Sequence, residues 1–113
     1  MPRDSRAYLD DILDAIGAIR EYTSGISAET FAADRKTVDA VLRNLEVIGE
    51  AVKQLPGDMR SAHPDVEWPK IAGLRDILIH AYFGVDLEIV WDVVSNKLPA
   101  LESRVRAILD SGG

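Results

Sequence analysis

The sequence predicts an all-α fold, an up-down bundle of four helices with one short extra helical turn. Apolar residues recur at steps of three and four over long stretches, which is the spacing of an amphipathic helix. Prolines and glycines mostly lie between those stretches, where they separate helices. At 113 residues the chain is long enough for a single core. We therefore expect one helical domain over residues 1–113.

The first predicted helix covers about residues 5–23, and Gly25 ends it. Ser27 can cap a short turn that carries Phe31, which we expect to close the end of the core. The apolar stripe of this helix consists of Leu9, Ile12, Leu13, Ile16 and Ile19.

The second predicted helix covers about residues 35–54, with Asp34 as its N-terminal cap. Gly49 lies in its interior, where glycine costs about 1 kcal/mol relative to alanine. Close approach of another backbone would explain its presence. Pro56 and Gly57 end the helix. Its apolar stripe consists of Val38, Val41, Leu42, Leu45, Ile48, Val52 and Leu55.

The next stretch, residues 56–69, contains prolines that exclude a long regular element and leave room for one helical turn. Trp68 would anchor this loop to the core. The third predicted helix covers about residues 69–83, since Pro69 suits a first turn and Gly84 ends a helix. Its core-facing side consists of Leu74, Ile77, Leu78 and Ala81.

The fourth predicted helix covers about residues 87–110. Asp86 can cap it, and Glu88 in its first turn is favourable to the helix dipole. Pro99 lies inside the apolar pattern, so a kink is expected there. The stripe consists of Leu87, Val90, Trp91, Val94, Leu98, Leu101, Val105 and Ile108.

The third predicted helix carries an arginine, a histidine and a tyrosine, polar side chains that packing alone does not require. A buried guanidinium or imidazole is costly without a partner. Arg75 and Tyr82 lie seven residues apart, nearly two turns, so both can face one groove. His80 shares its stripe with Asp76, which could fix the imidazole tautomer. Taken singly, each residue could be structural, and only the combination favours a functional site.

The combination resembles the R-x4-H-x-Y signature of HEPN domains in the HepT-like branch, here formed by Arg75, His80 and Tyr82. Members of this branch are the toxin halves of type VII-like toxin–antitoxin pairs. The resemblance covers residues 68–91 around the motif and residues 43–51 of the second helix, so it spans most of the chain. It implies the same helical domain, paired as a twofold dimer.

Cleavage of RNA without a metal needs proton removal from a 2′-hydroxyl, proton delivery to a 5′-oxygen, and positive charge beside the phosphorane. Histidine can perform the first two tasks and arginine the third. One chain offers one motif histidine, so a composite site between two motif helices at a dimer interface is predicted. The resemblance places Arg75 and His80 in the catalytic positions of an endoribonuclease.

Supporting roles are predicted for Asp76, Glu50 and Asn44. The last two lie in the stretch that the resemblance covers, and one or both could line the groove of the motif helix. On physical grounds alone they are better explained as surface residues or as residues that form hydrogen bonds between helices.

Tyr82 has a further role that the resemblance implies. In HepT-like proteins the tyrosine at this position accepts AMP from an MntA-type nucleotidyltransferase antitoxin, which silences the toxin. A bulky anion beside His80 would fill the cleft and repel a phosphate substrate.

Composition limits the other possibilities. The net charge of −6 argues against a broad electrostatic grip on nucleic acid, so RNA would bind at a local site. The chain has no cysteine, and Asp76 and His80 lack a convincing third metal ligand. A P-loop and a nucleophile elbow are absent. We therefore expect no metal, no cofactor and no DNA partner. We also expect a cytoplasmic protein without a membrane partner, because no apolar run has signal or membrane length.

Two alternatives to an endoribonuclease stay open. The chain could be a non-catalytic module that binds a nucleotide or serves a nucleotidyltransferase as its accessory subunit, which its acidity favours. It could also be a helical dimerisation scaffold.

Overall fold

The computed structural model describes residues 4–74, 78 and 87–111, and all of its regular elements in those residues are helical. The all-α prediction is therefore confirmed, whereas the twofold dimer stays a prediction. The elements are α1 (Ser5–Thr23), α2 (Ala28–Ala33), α3 (Arg35–Gln54), α4 (Gly57–Ala62), α5 (Trp68–Ala72), α6 (Leu87–Asp92), a π-helical turn (Val93–Lys97) and α7 (Leu98–Asp110).

Helix α1 begins where the Asp4 carboxylate accepts a hydrogen bond from the backbone N–H of Arg6, at 3.0 Å. Gly25 follows the helix with φ of 76°, a left-handed conformation that glycine adopts without strain. Its core face was predicted from periodicity, and only Leu13 of that stripe is partly exposed. The buried residues of α1 are Leu9, Ile12, Ala15, Ile16 and Ile19.

Helix α3 packs against α1 more extensively than against any other described element. The Asp34 carboxylate caps it and accepts hydrogen bonds from the backbone N–H of Thr37 at 3.3 Å and from its hydroxyl at 2.7 Å. These bonds lower the pKa of Asp34, because they favour the charged carboxylate. All seven apolar positions predicted for this helix are buried.

The short helix α2 closes one end of the core, as predicted. The Ser27 hydroxyl caps it and accepts from the backbone N–H of Thr30 at 3.1 Å. Phe31 is completely buried, and its ring lies 5.1 Å from the ring of Trp91, centroid to centroid, at an angle of 37°. An aromatic contact thus joins α2 to α6.

The loop before the third predicted helix contains α4 and ends at Trp68. This tryptophan is buried, and its indole N–H donates to the carbonyl oxygen of His63 at 3.0 Å. The predicted anchor is confirmed. Arg104 of α7 also holds the loop, with its Nε 2.6 Å from a carboxylate oxygen of Asp65.

The third predicted helix, residues 69–83, is interrupted near its start. Helix α5 ends at Ala72, and the backbone N–H of Gly73 donates to the carbonyl oxygens of Pro69 and Ile71. The bond to Pro69 is an ordinary α-helical bond, and it is the last one because glycine has a low helix propensity. Leu74 and Leu78 are helical and buried, and the remainder of residues 75–86 lies outside the described residues.

The fourth predicted helix is one structural unit with a π-helical turn inside it. The backbone N–H of Leu98 donates to the carbonyl oxygen of Val93, five residues back. Pro99 has no N–H and its ring crowds the preceding turn, so the wider turn makes room for it. The predicted discontinuity is present, in the form of a π-helical turn just before the proline. Asp86, the predicted cap, lies outside the described residues.

No helix in the described part of the chain combines the length and the apolar character needed to span a membrane.

Candidate functional site

Of the predicted site residues, the structure describes only Asn44 and Glu50. Arg75, Asp76, His80 and Tyr82 lie outside the described residues. The site is therefore built from the elements that lead into the motif segment and from the groove beside Glu50.

Gly49 is the point at which α3 meets the chain leading into the motif. A β carbon added at Gly49 would lie 3.3 Å from the carbonyl oxygen of Ile71 and 3.6 Å from that of Ala72. It would also lie 3.8 Å from the β carbon of Leu74. This confirms the close backbone approach predicted from a glycine in a helix interior. Because Leu74 directly precedes Arg75, α3 packs against the chain where the motif begins.

Leu74 and Leu78 attach this part of the chain to the core. Their exposed fractions are 6% and 3%, and a spacing of four residues places them on one face of a helix. Both were predicted to face the core. The same prediction for Ile77 and Ala81 falls outside the described residues. The core thus holds the chain immediately before and after residues 75–77.

Glu50 follows Gly49 and lies on the wall of a groove between α1 and α3, which we call the α1–α3 groove. The groove has a volume of about 420 Å³. Its polar lining comes from both helices: Tyr8 and Asp11 of α1, and Arg43, Glu46, Glu50 and Gln54 of α3.

The charges in the α1–α3 groove are mainly negative. Its lining includes three carboxylates and one guanidinium, and that guanidinium, Arg43, lies 3.8 Å from the carboxylate of Glu46. The Glu50 carboxylate accepts a hydrogen bond from the side-chain amide of Gln54 at 3.4 Å. Tyr8, Asp11 and Glu50 each take part in further interactions within the protein. The groove can therefore accept hydrogen bonds at several oxygens.

Asn44 lies elsewhere on α3. Its side-chain amide donates to the carbonyl oxygen of Ala40, one turn earlier in the same helix, at 2.9 Å. Asn44 and Gly49 are five residues apart, about 140° around the helix axis, so Asn44 does not share the face that meets α5. A supporting role for Asn44 beside the motif stays a prediction, as does that of Glu50.

The α1–α3 groove itself was not predicted. A signal for it exists in the sequence, because polar residues at positions 43, 46, 50 and 54 follow the helical period on the side opposite the core stripe. Tyr8 and Asp11 show the same spacing of three on α1. What the spacing does not show is that these two stripes meet.

Among the described residues, no group of three or more histidine, cysteine, aspartate or glutamate side chains is placed so that it could hold a metal ion. Asp76 and His80, considered above as metal ligands, lie outside the described residues.

Comparison with known proteins gives one family. Residues 12–108 match the family model described as Ribonuclease HepT-like. A protein of Thermococcus cleftensis named "Probable ribonuclease HepT" is 46% identical over 104 residues, which are 92% of this chain and 94% of that protein. A Methanocaldococcus jannaschii protein named "Putative RNase MJ0127" is 51% identical over 100 residues, or 88% of this chain and 83% of that protein.

No solved structure matches the chain significantly. The family match extends over most of the sequence and includes the R-x4-H-x-Y pattern at residues 75–82. The two relatives are matched over most of their own length as well. The chain belongs to the HepT-like family.

Proposed function

We propose that this chain is a metal-independent endoribonuclease, the toxin component of a toxin–antitoxin pair. Membership of the HepT-like family supports the proposal, as do the ribonuclease names of its relatives. The observation that carries it is the R-x4-H-x-Y pattern of Arg75, His80 and Tyr82, which lies inside the matched span.

The reaction is a transesterification at one phosphodiester. A motif histidine removes the proton of the 2′-hydroxyl, and the 2′-oxygen attacks phosphorus. The bond from phosphorus to the 5′-oxygen breaks, a second histidine gives that oxygen a proton, and a 2′,3′-cyclic phosphate remains. Arg75 stabilises the negative charge that builds up on the phosphorane. Two chains supply the two histidines in a shared cleft.

The packing at Gly49 supports a role for Glu50 in this scheme. A β carbon added at Gly49 would lie 3.8 Å from that of Leu74, and each of these residues is followed directly by a charged one, Glu50 and Arg75. A carboxylate that accepts from a guanidinium holds it in one orientation. In the proposal Glu50 is therefore a positioning residue for Arg75.

A nucleotidyltransferase antitoxin of the MntA type regulates the enzyme in this proposal. It transfers AMP to the hydroxyl of Tyr82, two residues from His80, and the added phosphate blocks the cleft. Co-expression with the product of the neighbouring gene, followed by intact-mass measurement, tests this step. An adenylate adduct on the peptide that contains Tyr82 is expected, and its absence from Tyr82→Phe locates it.

A second candidate is a non-catalytic nucleotide-binding or accessory subunit of such a transferase. The observation that favours it is the acidity of the chain, which has a net charge of −6. A protein of this kind would bind its partner and leave RNA intact.

Incubation of the purified protein with RNA separates the two candidates. The proposal expects cleavage that falls at least about a hundredfold in His80→Ala, since general acid–base catalysis contributes that much or more. The matched control is His63→Ala, which removes the chain's other histidine. His63 contacts Trp68 through its backbone carbonyl, so its side chain is dispensable for that bond.

A second pair of variants tests the role of the arginine. Arg75→Ala is expected to lose cleavage, whereas Arg35→Ala, at a side chain that is 88% exposed, is expected to keep it. The same variants would be tested for growth arrest when the chain is expressed alone. Cleavage that persists in both His80→Ala and Arg75→Ala would remove these residues from catalysis.

A further inference from the structure

We infer that the α1–α3 groove is a nucleobase-binding subsite for a single-stranded RNA substrate. The inference rests on the proposed ribonuclease function and adds to it a site that selects bases. Four properties of the groove support it: its size, its apolar surface, its hydrogen-bonding groups and its charge.

The size of the groove suits one nucleoside. Pockets that bind small organic ligands have volumes of about 300–1,000 Å³. The groove, at about 420 Å³, lies at the small end of that range. It can take a base with its ribose, whereas a stacked duplex needs an extended surface. Sequence-specific recognition of RNA mostly uses unstacked single-stranded bases, which is the form such a groove accepts.

The lining offers an apolar surface beside the polar groups. Val47 and Ala51 lie on the α3 side, and the ring of Tyr8 lies on the α1 side. Tyr8 is partly buried, so part of its side chain remains accessible. Aromatic rings are the usual platforms on which proteins stack single-stranded bases.

The hydrogen-bonding groups can read the edge of a base. The carboxylates of Asp11 and Glu50 are acceptors, and the amide of Gln54 both donates and accepts. A carboxylate oxygen accepts from the exocyclic amino group of cytosine, which uracil replaces with a carbonyl oxygen. Asp11 and Glu50 already have interactions within the protein, so a base would bind beside those interactions. The groove should therefore bind cytosine better than uracil.

The charge of the groove determines which part of the RNA enters it. Three carboxylates against one guanidinium repel a phosphate, so the backbone stays outside and the base turns inward. The start of the motif segment packs at Gly49, next to Glu50 in sequence. A helix is about 10–12 Å wide with its side chains, so the groove and that contact are separated by about the width of α3.

The test measures binding of two short oligonucleotides of equal length, one of 2′-O-methylcytidine and one of 2′-O-methyluridine. The methyl group replaces the proton that cleavage requires, so binding is observed without reaction. Fluorescence anisotropy of the labelled oligonucleotides gives the two affinities. The wild-type protein is expected to bind the cytidine oligomer about tenfold more tightly, which is the effect of one charge-assisted hydrogen bond.

Asp11→Asn is the decisive variant, because an amide presents a donor as well as an acceptor at nearly unchanged size. It should reduce the ratio of the two affinities to about threefold or less. Asp10→Asn is the matched control, since Asp10 is the exposed neighbour on α1, lies outside the groove and undergoes the same change of charge. It should leave the ratio unchanged.

A second pair of variants tests the stacking surface. Tyr8→Leu should weaken the binding of both oligomers by about tenfold, and Tyr8→Phe, which keeps the ring, should stay within about twofold of wild type. Circular dichroism checks that each variant is folded. If Tyr8→Leu does not fold, the Asp11 and Asp10 pair still decides the matter.

The outcomes separate this inference from the proposed function. Equal affinities for the two oligomers, or equal effects of Asp11→Asn and Asp10→Asn, overturn the subsite even when wild-type protein cleaves ordinary RNA. Binding in the groove by a lysine-rich peptide, with none by either oligonucleotide, also overturns it and indicates a protein partner. If the wild-type protein selects between the two oligomers but does not cleave RNA, the proposed nuclease function is overturned and the groove remains a nucleotide-binding site.

Discussion

Gly49 of α3 packs directly against the backbone of Ile71 in α5, at a spacing that leaves a β carbon only 3.3 Å from the Ile71 carbonyl oxygen. The contact joins the longest helix of the described chain to the segment that enters the motif. It explains why a residue with poor helix propensity occupies a helix interior.

Substitution at Gly49 is the first prediction, and Gly17 of α1 is its control. A β carbon at Gly17 would have no neighbour within 4 Å. Gly17→Ala should therefore stabilise the protein by up to about 1 kcal/mol through helix propensity. Gly49→Ala should show less of this gain, because its β carbon meets two carbonyl oxygens, and Gly49→Val should destabilise by about 1–3 kcal/mol.

Urea denaturation at equilibrium gives the free energy of unfolding for each variant. Equal stabilisation by the two alanine substitutions would show that the Gly49 contact is not tight. Cleavage of RNA should fall in Gly49→Val at temperatures where the variant remains folded, since a displaced α5 also displaces the start of the motif.

The ion pair between α1 and α7 gives a prediction about pH. The Arg20 guanidinium donates a hydrogen bond to the Glu102 carboxylate, whose side chain is only 13% exposed, and Arg106 lies 3.5 Å away. The hydrogen bond from Arg20, with the positive charges of both arginines, lowers the pKa of Glu102. The contribution of Glu102 to stability is thus fully present above its ordinary pKa of 4.5 and is lost as the pH falls through the lower folded value.

Glu102→Gln should accordingly lower the free energy of unfolding at pH 7, measured by urea denaturation. The loss should be no more than about 1 kcal/mol, because both arginines are largely exposed to solvent. The difference from wild type should shrink once the pH falls below 4.5. Asp39→Asn is the control, since Asp39 is 53% exposed and lies 3.7 Å from Arg35. A pH-independent difference would rule out a role for the charge of Glu102.

Phe31 should be among the most sensitive positions for stability. It is completely buried and contacts Trp91, so truncation removes core packing and an aromatic contact together. Phe31→Ala should cost about 3–5 kcal/mol, a large part of the 5–15 kcal/mol that stabilises a typical domain. Phe31→Leu should cost less because it keeps most of the volume.

Tryptophan fluorescence reports this change directly, because Trp91 is one of two tryptophans. The control is Tyr22→Ala, at an aromatic residue that is 44% exposed, and it should change stability by no more than about 0.5 kcal/mol. A cost at Phe31 as small as that at Tyr22 would mean that α2 does not close the core.

Local signals made most of the fold predictable from the sequence. The bounds 5–23 and 35–54 agree with α1 and α3 because periodicity, the Asp34 cap and Gly25 all act within a few residues. The interruption at Gly73 was not predicted, since an isolated glycine is tolerated inside a helical pattern. The π-helical turn was predicted only as a discontinuity at Pro99. Its form depends on how the following helix packs against α1, where Ile16 and Ile19 lie beside Val94 and Leu98.

The candidate site was predictable where it rests on residue spacing within one element. The R-x4-H-x-Y pattern and the close approach at Gly49 both belong to this class. The α1–α3 groove was not predictable, because it forms where Tyr8 and Asp11 of one helix meet Arg43 and Gln54 of another. Periodicity shows which face of each helix is polar, whereas tertiary packing determines which polar faces adjoin.

The composite site leads to a prediction about mixed dimers. Wild-type and His80→Ala chains are unfolded and refolded together in equal amounts, so that about a quarter of the dimers carry two intact histidines and about half carry one. In the proposed cleft one histidine removes a proton and the other supplies one, so a mixed dimer lacks one of the two groups and should be inactive. The mixture should therefore keep about a quarter of the activity of the same amount of wild-type protein. Chains that each held a complete site would keep about half.

The measurement is the cleavage rate of a fluorescent RNA, and the control is a mixture of wild-type and His63→Ala chains, which should keep full activity. Retention of about half of the activity in verified mixed dimers would refute the composite site, because one histidine would then be enough for each chain.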